Sequence, residues 1–389
     1  MEWHLLNDQL KRESIIEGYE SMIWTERYNV WGDFQLVIMS SVITRNRYKP
    51  GLRIGMVGSN RVMTIESVQD DLAADGTKKL TVTGRSIESW LDDRVAMPAL
   101  AGTETTPKWT ITDTPGNIAR YLFNQICVLH ILNAKDTIPF YHSGTLFGSG
   151  NLTEPSTTVT MEFEPDTLYN DLVTICQTYN LGFRLVKDGD TGNIYFEVYT
   201  GSDRTSDQST NDPVIFSQEL ESVTSTTSLT SNAGFKNVAY VFAQNGAAEV
   251  YAQNYSSATP NSERRVLIVN ATDIDLPAGA SLTIAMAQRG LVELQKAQQI
   301  YILDGEISQL QPFTYGMDYG LGDLVEERSA DGIISAMLVT EQIFVSDQEG
   351  ERSYPTLTLT AVATAGSWDA EPSGEYWDDV VPTEVWDDI

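Results

Sequence analysis

WTERYNVWGDFQL, residues 24–36, sets the character of this 389-residue chain. Past Gly32-Asp33 the run continues to Ile38 with Phe34, Leu36 and Ile38 on one face, the period-two pattern of a half-buried strand. Two further runs, VMTIESV (62–68) and KLTVTG (79–84), flank DDLAADGTK, whose Asp75-Gly76 is a hairpin-turn signal. Residues 1–100 therefore read as all-β.

Residues 107–200 have a different texture. DTPGNIARYLFNQI (113–126) opens like a helix, with Asp113 or Thr114 as cap and Pro115 in the first turn. A second helix is expected from about 165 to 179, where Leu168, Leu172, Ile175, Cys176 and Tyr179 form one stripe. FRLV and NIYFEVY then flank KDGDTG (187–192), a hairpin pattern that completes a small α+β module. The polar run SDRTSDQSTND (202–212) reads as a linker. Beyond it come strands at 214–216 and 237–243, a long amphipathic helix from about 278 to 301 burying Leu282, Met286, Leu294 and Ala297 or Ile300, and further strands over 303–363.

The first and last β regions share an order of signals. Gly32-Asp33, Ile65-Glu66-Ser67-Val68, Asp75-Gly76 and LTVTG at the front are matched by Gly322-Asp323, Thr340-Glu341-Gln342-Ile343, Glu349-Gly350 and LTLTA at the back. Two hairpins can share such an order by chance or by duplication, and the residues leave both open. Gly32 and Gly322 suit bends where a Cβ would clash; Asp33 and Asp323 suit backbone capping. Arg85 and Arg94 suit carboxylate pairing, within the chain or across a subunit boundary.

Charge narrows the function. With 54 acidic against 25 basic residues the net charge is -29. Nucleic acid is gripped through Lys and Arg that neutralise phosphates, so neither DNA binding nor attachment to an anionic membrane is expected. Such a surface keeps a protein soluble and would also suit a wall past which DNA slides without sticking. The start, MEWHLLNDQLKRESII, lacks a basic segment followed by an apolar run, so no secretory leader is expected.

Catalytic patterns are missing. His4, His130 and His142 fall in no metal-spaced cluster, and neither a nucleophile elbow nor a phosphate loop is present. DGDTGN (188–193) has Gly192 where a calcium loop needs Asp or Asn, so a turn is the better reading. Cys127 and Cys176 read as core residues, even though Cys127 stands one helical turn from His130. No enzyme activity, cofactor or metal is expected.

WTERYNVWGDFQL, with its Trp24, Arg27-Tyr28-Asn29 and Gly32-Asp33-Phe34-x-Leu36, resembles the opening motif of a family of minor tail proteins from siphophages of actinobacteria. GRSIESWLDDRV (84–95), with Gly84, Arg85 and Arg94, is similar to the same family, as are KNVAYV (236–241) and DYGLGDLV (318–325). The four occur in order over about 1–100 and 230–365. That family in turn resembles the baseplate hub proteins of contractile-tailed phages.

The resemblance implies a mainly β chain with two tail-tube-like β-barrels and an α+β insertion, assembled as a trimeric pseudo-sixfold ring. The expected divisions are 1–100, first barrel; 101–212, inserted module; 213–365, second barrel with one long helix; and 366–389, an acidic tail. The implied partners are two further copies, a distal tail ring or tail tube protein, the tape-measure protein, and tip or fibre proteins. DNA would pass without specific binding. The implied place is the virion tail tip, after synthesis in the host cytoplasm. In the tail, Trp368, Trp377 and Trp386 recur every nine residues, each followed by Asp, and are expected to anchor on a neighbouring protein, since Trp buries much area with few rotatable bonds. A receptor- or glycan-binding tail protein and a wall hydrolase are the competing classes.

Overall fold

The computed structural model describes all residues except 73, 75, 99–107, 190, 218, 220–221, 253–254, 273, 275–277, 298–299, 308–312, 329–333 and 360–389. The Asp75 turn position and the three tail tryptophans thus lie outside the described residues. The first region comprises β1 (Trp3–Leu6), β2 (Arg12–Ile15), β3 (Tyr19–Arg27), β4 (Asp33–Met39), α1 (Val42–Arg47), β5 (Arg53–Met56), β6 (Val62–Leu72) and β7 (Lys78–Ser86). Phe34, Leu36 and Ile38 point inward as their alternation predicts. They meet Trp24, Ile54, Met63, Leu80 and Val82 in one apolar core.

The middle of the chain forms β8 (Val95–Ala96), β9 (Trp109–Asp113), α2 (Pro115–Phe123), β10 (Val159–Phe163), β11 (Asp166–Thr167), α3 (Leu168–Thr178), β12 (Gly182–Lys187) and β13 (Ile194–Tyr199). Pro115 takes the first turn of α2, where its missing N–H costs nothing. Thr167 caps α3 by accepting the Asn170 N–H at 3.2 Å. Both helices lay their apolar stripes on the β12–β13 hairpin, burying Ile118, Leu122, Leu172, Ile175, Phe183 and Phe196. Cys127 and Cys176 are buried there; burial pushes the Cys127 thiol up to about 12 and raises that of Cys176 as well, which keeps both in the thiol form.

The last region holds β14 (Ile215–Ser217), β15 (Val223–Ser231), β16 (Val238–Ala243), β17 (Gly246–Tyr251), β18 (Val266–Asn270), α4 (Ala280–Lys296), β19 (Ile300–Ile307), β20 (Leu324–Arg328), β21 (Ile334–Asp347) and β22 (Gly350–Leu359). The long helix α4 packs not on the large sheet but on the separate three-stranded sheet β17-β16-β18, where Leu282, Met286 and Leu294 meet Val241 and Val250. The 202–212 run is no slack linker either. Ser202 and Ser206 donate backbone N–H groups to Asp323 and Glu326, both at 2.6 Å, and strap the run to the start of β20 and to its interior.

Strand pairing reveals a five-strand unit that occurs twice. The orders β3-β4-β7-β6-β5 and β15-β19-β22-β21-β20 coincide pair by pair. Trp24 faces Phe34, which faces Gly84, which faces Ile65. Likewise Ser228 faces Leu303, which faces Leu357, which faces Val339. The bulges coincide too: Glu20 and Thr224 are the extra residues in β3 and β15, Glu66 and Thr340 those in β6 and β21.

This corrects the equivalence suggested by sequence. Gly322-Asp323 corresponds to Gly51-Leu52 rather than to Gly32-Asp33. The Gly51 N–H donates to Ile65 O and Ile65 N–H returns to Leu52 O, both at 2.8 Å; Gly322 with Val339, and Val339 with Asp323, repeat the pattern at 2.8 and 2.9 Å. Both glycines hold positive φ, 91° and 86°. The sequence misled because Gly51 is followed by Leu, whereas Gly32 happens to share an Asp with Gly322.

One buried acid gives a test of the module. Asp171, in the first turn of α3, is 8% exposed, and its Oδ2 has no hydrogen-bond partner. Burial, with a smaller contribution from Asp166, pushes its carboxyl up to about 8 from 3.8. The folded state therefore binds more protons than the unfolded state between those two values, and stability falls as pH rises through that window, by at most about 1.4 kcal/mol per pH unit. Asp171→Asn should flatten the slope and raise the melting temperature at pH 9 while changing it little at pH 4, as read by thermal denaturation at both pH values.

Candidate functional site: the joint between the two strand units

The two units are welded into one 13-stranded sheet by β3 and β21, paired antiparallel from Arg27↔Glu341 to Met22↔Ser346. Arg27 locks the end of this pairing. Its guanidinium holds Glu341 across the joint and Asp33 on the next strand, and donates to the Trp31 carbonyl at 3.2 Å. Phe344, from the second unit, enters the core of the first.

Next to Arg27, Tyr28 is 1% exposed and ties three regions together. Its N–H donates to Thr340 O at 2.9 Å, and its hydroxyl reaches the Asn180 and Tyr199 carbonyls of the module at 3.1 and 3.2 Å. The ring lies on Gly322, where a Cβ would stand 2.3 Å from Cε2, and the positive φ there also favours glycine.

Around this point lies a cleft of about 570 Å³ bordered by all three regions. Each of its arginines is paired with a carboxylate. Arg61, 7% exposed, holds Glu88, which is fully buried and also accepts the Leu185 N–H at 2.9 Å. Arg184 meets Glu197 at 2.6 Å, and Arg204 meets Asp323 at 2.8 Å. Glu26, 4% exposed, accepts from the Trp24 indole at 3.0 Å, from the Tyr315 hydroxyl at 2.9 Å and from Ser59. Each of these arginines already has a carboxylate, so the cleft works as a polar seam between regions and offers no spare cation to a ligand.

The sequence-selected residues divide by role. Trp24 is fully buried in the first core. Gly32 and Gly84 pass so close to neighbouring backbone that a Cβ would lie 2.2 Å from Thr25 O and 1.8 Å from Thr64 O. Asp33 turns to Arg27, whereas Asp323 caps the Ser202 and Gly320 N–H groups at 2.6 and 2.9 Å. Arg85 pairs with Glu66 at 2.9 Å and stacks 4.3 Å above Trp31. Arg94 donates to the Asp136 and Thr137 carbonyls at 3.1 and 3.2 Å rather than to a carboxylate. Trp368, Trp377 and Trp386 lie outside the described residues. Glu26, Arg61, Glu88 and Glu197 carry no signal in the sequence, because buried charge has no mark in an acidic chain; Tyr28 shows there only as the middle of Arg-Tyr-Asn. Among the described residues no His, Cys, Asp or Glu cluster is arranged for a metal, and no helix is long and apolar enough to cross a membrane.

The architecture is that of phage tail proteins. The prophage MuSo2 43 kDa tail protein of Shewanella oneidensis shares it with a TM-score of 0.53 at 15% identity, over 92% of this chain and 98% of that one. A tail protein of Neisseria meningitidis MC58 gives 0.54 at 12% over 92% and 96%, and the prophage tail protein gp18 of Listeria monocytogenes EGD-e gives 0.50 at 12% over 93% and 96%. Compared by sequence with curated proteins, the chain finds no match. The profile of the Siphovirus ReqiPepy6 Gp37-like protein family matches residues 2–357, and the chain belongs to that family.

If the seam holds the regions together, removing one member of its buried pair leaves a stranded charge. Arg61→Met should destabilise the protein by about 3 to 5 kcal/mol, and adding Glu88→Leu should recover most of the loss. Urea denaturation of the wild type and both variants measures this.

Proposed function

We propose that the chain is a structural hub of the phage tail tip, three copies forming a ring that joins a sixfold tail tube or distal tail ring to a threefold tip. The observation that carries this reading is the five-strand unit present twice in one chain and joined edge to edge. Three such chains bring six equivalent units to one ring, while their insertions occur only three times. In this assembly each unit contributes to a tube-like barrel, residues 1–100 forming the first and 213–365 the second, with 101–212 as a peripheral module. The net charge of -29 supports an acidic lumen past which the tape-measure protein and DNA move without adhering. No catalytic role is part of the reading.

The tail 366–389 is the proposed anchor on a neighbouring tail, tip or fibre protein, with Trp368, Trp377 and Trp386 as its contact residues. A receptor- or glycan-binding role has one supporting observation. Tyr240 and Phe242 stand 37% and 45% exposed on the sheet β17-β16-β18, rings of the kind on which sugars stack. Binding of the purified chain to isolated host cell wall, lost in Tyr240→Ala/Phe242→Ala, would favour it over the hub.

Light scattering should give the mass of three chains, and low-resolution imaging of tails carrying a tagged chain should put the label at the tip in threefold array. A label along the tube or on side fibres would overturn the hub. Deleting 366–389 should leave the trimer intact and abolish co-purification with neighbouring tail proteins.

A further inference from the structure

The internal duplication contains an asymmetry that identifies an interface. In the second unit, the outer half of β21 is covered by β3, and Gln342, Phe344, Val345 and Ser346 are 0%, 9%, 5% and 6% exposed. In the first unit the equivalent stretch is the outer half of β6, Ser67–Leu72. It pairs with β7 on one side, while β5 reaches only Val62–Thr64 on the other, so among the described residues its second edge is open. Ser67, Gln69, Asp70 and Asp71 are exposed, and Leu72 is 68% exposed. The equivalent of β3 is β15, which among the described residues pairs only with β19. Among the described residues, one chain thus has two open edges whose counterparts, inside the same chain, are bonded to each other.

From this geometry we infer that the outer half of β6 pairs antiparallel with β15 of a second copy of this chain, repeating the β3–β21 joint. Transferring the internal register gives Ser67↔Ser231, Val68↔Thr230, Gln69↔Leu229, Asp70↔Ser228, Asp71↔Thr227 and Leu72↔Thr226. The two edges are chemically compatible. The strand VTSTTSLTS carries neither charge nor proline, the usual guards of an exposed edge, so Asp70 and Asp71 meet hydroxyl residues rather than like charges. The Arg27–Glu341 pair of the internal joint becomes Ser231 opposite Ser67, leaving this contact without an ionic lock. The contact is head to tail, so it propagates from chain to chain and closes only as a ring. The inference rests on the hub reading for the number of copies, but the register does not.

Cysteine pairs in the full chain test the register. Within the internal joint the Tyr28 N–H donates to Thr340 O, which marks Tyr28↔Thr340 as a hydrogen-bonded pair and the neighbouring Arg27↔Glu341 as the closer, non-hydrogen-bonded kind. By alternation Gln69↔Leu229 and Asp71↔Thr227 are of that closer kind, with Cα atoms about 4.5 Å apart, within disulfide reach. Gln69→Cys/Leu229→Cys and Asp71→Cys/Thr227→Cys should oxidise to a ladder that ends at a covalent trimer and collapses on reduction. Gln69→Cys/Ser228→Cys, one residue out of register and facing the opposite side, should lose that coupling. Cys127 and Cys176 are buried and do not compete.

A trimer by light scattering with no in-register coupling, or with equal coupling in the control, would overturn the register and leave the hub standing. A ladder running past three would keep the pairing and overturn the threefold ring. A chain that stays monomeric and uncoupled at all concentrations would overturn both.

Discussion

The six-residue antiparallel pairing of β3 with β21 is the constraint on which the structure turns. Without it the first and last regions would be two small sheets, each with a long unpaired edge of the kind that invites aggregation. With it, the backbone groups of both strands are satisfied, Phe344 fills the neighbouring core, and Tyr28 is drawn into contact with the module and with Gly322. The buried ion pairs then fill the seam that the three regions share. Their net contribution to stability is small, because a buried pair gains little over well-packed apolar groups, whereas removing one partner is costly.

What could be read beforehand follows from how local the signals are. Alternation at Phe34, Leu36 and Ile38, the proline at the start of α2 and the stripe of α3 depend on neighbours a few residues away, and the structure matches them. The duplication is carried instead by pairing register, which joins residues far apart in the chain and leaves only short hairpin echoes in the sequence. Hence the sequence aligns the hairpins only to within one residue, Glu66 corresponding to Thr340 rather than to Glu341, and the Asp that follows both Gly32 and Gly322 hides the true equivalence of Gly322 with Gly51. The 202–212 run looked like a linker because Ser, Thr and Asp are common in linkers. They are equally suited to bonding with Asp323 and Glu326 once those carboxylates are brought alongside.

The candidate site was legible only in part for a related reason. Arg27, Gly32, Gly84 and Asp323 were visible as motif residues, and the structure gives them mechanical tasks: locking the joint, permitting close backbone approach, and capping. The acids that complete the seam are hidden among the chain's 54 acidic residues. Burial, not residue type, separates Glu88 from the acids of the surface, and burial at this joint is set by contacts spanning most of the chain.

The covalent linkage of the two strand units has a kinetic consequence. Because β3 and β21 belong to one polypeptide, their pairing occurs at the high effective concentration of tethered segments and does not depend on how many copies are in solution. Every second seam of a ring built from this chain would therefore be complete before any two molecules met. Only the remaining seams would respond to protein abundance. Connectivity sets unlike halves side by side within each chain, and the head-to-tail pairing of two different open edges would extend that alternation from one chain to the next.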